Sequence, residues 1–167
     1  HIASLTAPMF KKISLELGGK NPNIIFADAN FDKAVKMAVK AAFSNQGQIC
    51  LCGSRLFVQK EIYADFKQAL LDKVSQLTVG DPKKESSNLG AVVSKAHMNK
   101  ILGKIEEGKK LGGKILTGGN RVILEGNLKN GYNIEPTVIE GLPFDCSINQ
   151  EEIFGPVVSL IPFESEE

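Results

Sequence analysis

Phe43-Ser44-Asn45-Gln46-Gly47-Gln48-Ile49-Cys50-Leu51-Cys52-Gly53-Ser54-Arg55 is the stretch on which the reading of this chain turns. A helical pattern runs into it, with Ala34, Val35, Ala38, Val39 and Ala42 on one face and Lys33, Lys36 and Lys40 on the other. Asn30 is placed to cap that helix and Asp32 lies in its first turn. Arg55 to Gln59 then reads as a strand. A cysteine therefore sits where the chain turns between helix and strand, among small and amide residues. A thiol attacks as the thiolate, which forms more readily near positive charge or N–H dipoles. Gly47 and Gly53 would let backbone N–H groups approach a small substrate and steady an oxyanion. The competing reading makes Cys50 a small buried apolar residue, as free cysteines often are, and composition alone favours it.

Upstream, Ile2, Leu5, Met9 and Phe10 are spaced as the end of a helix. Ile13-Ser14-Leu15-Glu16-Leu17 alternates apolar and polar residues and predicts a strand, closed by Gly18-Gly19-Lys20-Asn21-Pro22. Asn23 to Phe26 is almost wholly apolar, as a buried parallel strand would be. Downstream, Ile62, Phe66, Ala69, Leu70, Val74 and Leu77 line one face of a further helix, and 81–90 is a polar loop. Ser94 can cap another helix, with Ala96, Met98, Ile101, Leu102 and Ile105 inward, ending at Gly112-Gly113. Strands are predicted over Lys114–Thr117, Tyr132–Ile139 (with Pro136 marking an irregularity) and Val157–Phe163, and the Gly-rich 118–131 has room for a short hairpin. Strands alternating with helices give an α/β fold with a largely parallel sheet and helices on both faces, three αβα layers.

The totals fit a domain with a real core: 167 residues, 43% hydrophobic and 23% charged. A net charge of +1 points to neither nucleic acid nor a membrane surface as a partner, and no apolar run approaches the ~20 residues of a spanning helix. Cys50, Cys52 and Cys146 are an odd number, which favours free thiols in a reducing compartment, the cytoplasm. The lone C-x-C pair and only two histidines, His1 and His97, give no metal site. Both ends read as interior to a longer chain: apolar periodicity is already running at His1-Ile2-Ala3, and Ser165-Glu166-Glu167 follows directly on a strand.

Two further stretches carry possible chemistry. Glu16, at the end of its predicted strand and before Gly-Gly, can sit at the sheet's carboxyl edge, where ligands gather in open α/β sheets. The plain alternative is a solvated glutamate. Glu151-Glu152-Ile153-Phe154-Gly155-Pro156 places two acids before an apolar pair and a Gly-Pro turn, able to hold a sugar hydroxyl or simply to cap a turn. His97 falls on the polar side of its helix as a surface histidine, and no His is placed by a local motif to pair with Cys50.

Leu15-Glu16-Leu17-Gly18-Gly19-Lys20-Asn21-Pro22, Asn45-Gln46-Gly47-Gln48-Ile49-Cys50 and Glu151-Glu152-Ile153-Phe154-Gly155-Pro156-Val157 together resemble three signature stretches of the NAD(P)-dependent aldehyde dehydrogenase superfamily. Their order and rough spacing match as well, and the similarity spans essentially the whole chain. The Ile49-Cys50-Leu51-Cys52 variant is similar to the branch acting on aminomuconate and hydroxymuconate semialdehydes.

The resemblance implies that Cys50 is the nucleophile and Glu16 the general base, with Glu152 binding a cofactor ribose and Phe154 packing near it. It also places Leu17 and Gly18 at the nicotinamide end of NAD, with NADP an alternative. Cys52 and Cys146 match no catalytic position, Lys100 and His97 lie in a helix that often borders the cofactor, and His97 stands where many members have Gln. The expected reaction oxidises a small-molecule aldehyde to a free acid, since members that transfer the acyl group to coenzyme A commonly lack the Glu16 base. Residues 1–17 are expected to be the tail of a nucleotide-binding domain, and 18–167 a catalytic domain incomplete at its C-terminus. The parent is expected to be a homo-oligomer, and the 167 residues alone are expected to be inactive. A rival class, a thiol hydrolase or acyl transferase built on Cys50, would need a nearby His. A non-enzymatic relative would be expected to have lost Cys50 or Glu16.

Overall fold

The computed structural model describes residues 1–166. Its elements run α1 (Ile2–Thr6), β1 (Pro22–Ile25), α2 (Phe31–Phe43), β2 (Arg55–Gln59), α3 (Tyr63–Ser75), α4 (Lys95–Lys110) and β3 (Lys114–Thr117). Then follow β4 (Arg121–Val122), β5 (Asn133–Ile134), β6 (Thr137–Glu140), α5 (Ser147–Gln150) and β7 (Val157–Phe163). The main sheet has the order β1-β2-β7-β6-β3, parallel throughout except for β3, which runs antiparallel to β6.

The period of two along the strands divides the core between two faces. Leu56 and Val58 of β2, Val138 of β6 and Val158 and Leu160 of β7 join Val35, Ala38, Ala42 and Phe43 of α2 and Phe66, Leu70 and Val74 of α3. Ile139 and Val157 point the other way and pack with Met98, Ile101 and Ile105 of α4 and Ile148 of α5. The expected three αβα layers are present. Fully burying side chains such as Phe66 and Ile105 stabilises the fold by roughly 1.5–3 kcal/mol each. Two helix starts follow their caps: Asn30 Oδ1 accepts the Lys33 N–H at 3.1 Å, and Ser94 Oγ accepts the His97 N–H at 3.2 Å.

Several expectations are corrected. Ile13–Leu17 forms no strand; the segment is irregular, and Ile13, Leu15 and Leu17 are 37%, 60% and 73% exposed. Alternation supplies a pattern, but a strand also needs a neighbour for its N–H and C=O groups, and this segment pairs with none among the described residues. β1 lies at the sheet's edge with Ile24 half exposed. The strand predicted over Tyr132–Ile139 is two: β5 pairs with β4 as a small hairpin sheet, and β6 joins the main sheet after Glu135-Pro136. Ala96 is exposed rather than inward.

Candidate active site

Three segments converge at one edge of the main sheet, each leading into a parallel strand. Residues 16–21 enter β1, residues 44–54 enter β2, and residues 151–156 enter β7. The strands are neighbours in register, Pro22 against Arg55 and Arg55 against Ser159. The site therefore lies at the amino ends of these strands, and the expectation that Glu16 would sit at a carboxyl edge is overturned. Glu16 does not end a strand; it belongs to a strap that precedes one.

The cysteine loop owes its shape to three successive left-handed residues, Asn45, Gln46 and Gly47, with φ of 49°, 57° and 68°. Two of them are not glycine, a conformation that persists only where neighbours hold it. Asn45 Nδ2 donates to Gln48 O at 3.1 Å, and Gln46 Oε1 accepts the Gly90 N–H at 3.1 Å. Gly47 lies flat against the Gly155 carbonyl, where a Cβ would collide. Gly53 N donates to Ala41 O at 3.1 Å, closing the loop back onto α2. Cys50 is exposed at its tip. Cys52 is buried, its Sγ donating to Ala42 O at 3.3 Å, and Cys146 is half-buried.

The strap and the 151–156 turn clasp each other. Gly19 N donates to Glu152 Oε1 at 3.2 Å, and the Glu152 carboxylate occupies the space that a Cβ on Gly18 would fill. Phe154 is itself left-handed at φ 57°. His97 Nε2 lies 2.6 Å from the Phe154 carbonyl, and the two rings meet edge to face. His97 is thus half-buried against the turn rather than a free surface histidine, a contact that the helical periodicity gave no sign of. Glu151 points elsewhere, to Lys104 of α4 at 2.9 Å.

Glu16, Leu17, Gly18, Cys50, Glu152 and Phe154 line one open cleft of about 320 Å³. All six site residues expected from the sequence share it. The described residues contain no cluster of His, Cys, Asp or Glu able to hold a metal ion, and none of their helices is long and apolar enough to cross a membrane.

Sequence reasoning missed two groups behind the cleft. Arg55 Nη2 donates to Lys20 O at 2.6 Å, fixing the strap to β2. The Lys20 Nζ is buried without a hydrogen bond. Burial pushes its ammonium down from 10.5 to about 8, partly opposed by the nearby Cys52 and Glu152 and reinforced by Arg55. Burial pushes the Cys52 thiol up from 9.0 to about 11. A lysine with a depressed folded pKa makes the fold more stable as pH rises through that value, because the unfolded chain keeps the proton longer. A thiol with a raised folded pKa does the reverse above about 9. Unfolding free energy is therefore expected to rise by about 1 kcal/mol between pH 8 and 9 and then level off. Denaturant titrations across that window check this; the rise should vanish in Lys20→Met, and its persistence there would assign it elsewhere.

Comparison with known proteins gives this geometry a context. The family model described as "Aldehyde dehydrogenase family" matches residues 1–167. The chain is 45% identical over 168 residues to 2-aminomuconic semialdehyde dehydrogenase of Mus musculus, covering 99% of this chain and 34% of that protein. It is 42% identical over 167 residues to 4-trimethylaminobutyraldehyde dehydrogenase A of Danio rerio, covering 99% and 33%. Among solved structures, betaine aldehyde dehydrogenase from Staphylococcus aureus in complex with NAD+ superposes with a TM-score of 0.89 at 43% identity, over 99% of this chain and 33% of that one. The chain thus spans about a third of the length of these relatives. A match along the whole chain, with a shared fold at more than 40% identity, leaves one conclusion: the chain belongs to the aldehyde dehydrogenase family.

Proposed function

We propose that this chain supplies the thiol and the base of an NAD-dependent enzyme that oxidises an aldehyde to a carboxylic acid. The observation that carries the reading is the single cleft on which Cys50, Glu16, Glu152 and Phe154 all open. Cys50 Sγ, exposed at the loop tip, attacks the aldehyde carbon to give a thiohemiacetal, and the Cys50 backbone N–H steadies the oxyanion. Loss of hydride from that carbon leaves a thioester on Cys50. Glu16, on the strap across the cleft, takes a proton from the water that hydrolyses it, releasing the acid and the thiol.

The cleft suits one nucleoside-sized end of a dinucleotide. Gly18, lacking a side chain, leaves room for the Glu152 carboxylate beside it, and one Glu152 oxygen is already held by Gly19 N–H, which aims the carboxylate for a ribose hydroxyl. Glu152, Phe154, Leu17 and Gly18 would hold that end, and NAD, when bound, supplies the hydride acceptor. The three free thiols suit a reducing compartment such as the cytoplasm.

The substrate is the finer question. Relatives named for aminomuconic semialdehyde and for trimethylaminobutyraldehyde match at 45% and 42% identity. The Ile49-Cys50-Leu51-Cys52 loop favours the semialdehyde class.

Mass spectrometry of the full-length protein, incubated with NAD and each of these two aldehydes, tests the reading. The expected result is an acyl adduct on Cys50 that forms only with cofactor present and accumulates at least ~10-fold more in Glu16→Gln, whose amide cannot take the proton. An adduct on Cys146 or Cys52, or none at all during turnover, would overturn the assignment.

A further inference from the structure

Asn21 stands where the strap meets the cysteine loop. It precedes Pro22, which restricts its backbone to extended conformations, and its carbonyl accepts the Arg55 N–H at 3.2 Å at the start of the β1–β2 pairing. The backbone is thus fixed from both sides. Its side chain then reaches across to the loop: Nδ2 donates to Cys50 O at 2.7 Å and to Cys52 O at 3.3 Å. An amide NH2 has two protons, and each has a carbonyl to meet. The far side of the loop is tied separately, Cys52 Sγ donating to Ala42 O at 3.3 Å and Ser54 N to Cys52 O at 2.9 Å. Within it Cys52 N donates to Ile49 O at 2.9 Å, a local turn, and at the exposed Cys50 it is the Asn21 amide that holds the peptide carbonyl.

We propose that Asn21 is a positioning residue for the nucleophile. By turning the Cys50 and Cys52 carbonyls toward β1, it holds the Cys50 peptide so that Sγ and the backbone N–H face the cleft. Because Asn21 also ends the strap carrying Glu16, the same amide sets the thiol's place relative to the base. The inference rests on the reading of Cys50 as nucleophile. It adds a residue that touches no substrate, cofactor or reacting atom.

Serine in place of Asn21 is too short to span to the loop, and alanine has no donor. Aspartate keeps the shape but, when ionised, sets a carboxylate against two carbonyl oxygens; when protonated, it regains one donor. In the full-length enzyme, Asn21→Ala is expected to lower kcat on the order of 10²-fold, the cost of misplacing a reacting group by about 1 Å. KM for NAD and the melting temperature should stay close to the unsubstituted values. Asn21→Asp is expected to show an added rise in activity toward acid pH, absent from both Asn21→Ala and the unsubstituted enzyme. That acid limb would not arise if the residue only filled space.

The Cys50 acyl adduct separates the two levels of inference. No adduct in the unsubstituted enzyme means that the nucleophile reading has failed. An adduct forming equally fast in Asn21→Ala, or activity lost only in step with folded protein, sinks the positioning role alone. If Asn21→Ala does not fold, the pH profile of Asn21→Asp decides: the acid limb supports the role and its absence overturns it.

Discussion

Cys50→Ser is expected to lower kcat/KM for aldehyde oxidation by at least ~10³-fold, about 4 kcal/mol of transition-state stabilisation, with almost no change in stability. The thiol is exposed at the loop tip, so exchanging sulfur for oxygen there leaves no cavity and breaks no buried hydrogen bond. What is lost is nucleophilicity. A serine hydroxyl needs an adjacent general base to attack a carbonyl, and the site offers none in the right place. The His97 imidazole has its Nε2 committed to the Phe154 carbonyl at 2.6 Å. On the proposed mechanism Glu16 serves the later water step. NADH formation followed by absorbance in the full-length enzyme measures the loss, with cofactor binding and melting temperature as controls. Retention of more than a tenth of the activity would show that another group makes the covalent bond.

A large stability effect is expected at Gly47, where two physical terms add. Its φ of 68° costs an alanine roughly 1–2 kcal/mol, and the added Cβ would collide with the Gly155 carbonyl. Backbone cannot swing aside as a long side chain can, so either the cysteine loop or the 151–156 turn must shift. Gly47→Ala is expected to destabilise the protein by about 2–4 kcal/mol in total. Gly112→Ala separates the terms: its φ is 91°, but nothing lies within 4 Å of the position, so only the conformational cost of roughly 1–2 kcal/mol applies. Equilibrium denaturation of both variants makes the comparison. Equal losses would show that the loop and the turn are not in tight contact. A greater loss at Gly47, with activity per folded molecule also reduced, would show that they are.

The elements with long amphipathic patterns were legible. α2 and α4 start at the caps read for them, Asn30 and Ser94, and β2, β3 and β7 occupy the spans that the apolar runs mark out. The strap was not legible, because Ile13–Leu17 alternates like a strand and only the arrangement of neighbours reveals that it is unpaired. The direction of β3 is equally hidden, since a two-residue period reads the same both ways. α5 is four residues long, too short for periodicity to register. The left-handed turns at Asn45, Gln46 and Phe154 were missed because glycine is the usual marker of positive φ, and here hydrogen bonds and packing replace it.

The six residues that the resemblance picked out line one cleft. The spacing alone left Cys50 and Glu16 as minority readings, because their roles depend on groups far apart in sequence. Lys20, Asn21, Arg55 and the new contact of His97 came only from tertiary structure. Nothing in a one-dimensional pattern distinguishes a lysine that will lose its water, or an asparagine whose amide will meet two distant carbonyls.

With the cleft at the amino ends of β1, β2 and β7, the opposite edge of the sheet carries none of its six residues. There β1 passes through Ala27–Asn30 into α2, β2 passes through Lys60–Ile62 into α3, and β7 gives way to Glu164. These connections bear on no residue of the cleft. Changes in those connections are expected to leave Cys50, Glu16 and Glu152 in register, so one edge of the sheet is held to a geometry while the other is expected to tolerate drift or insertion.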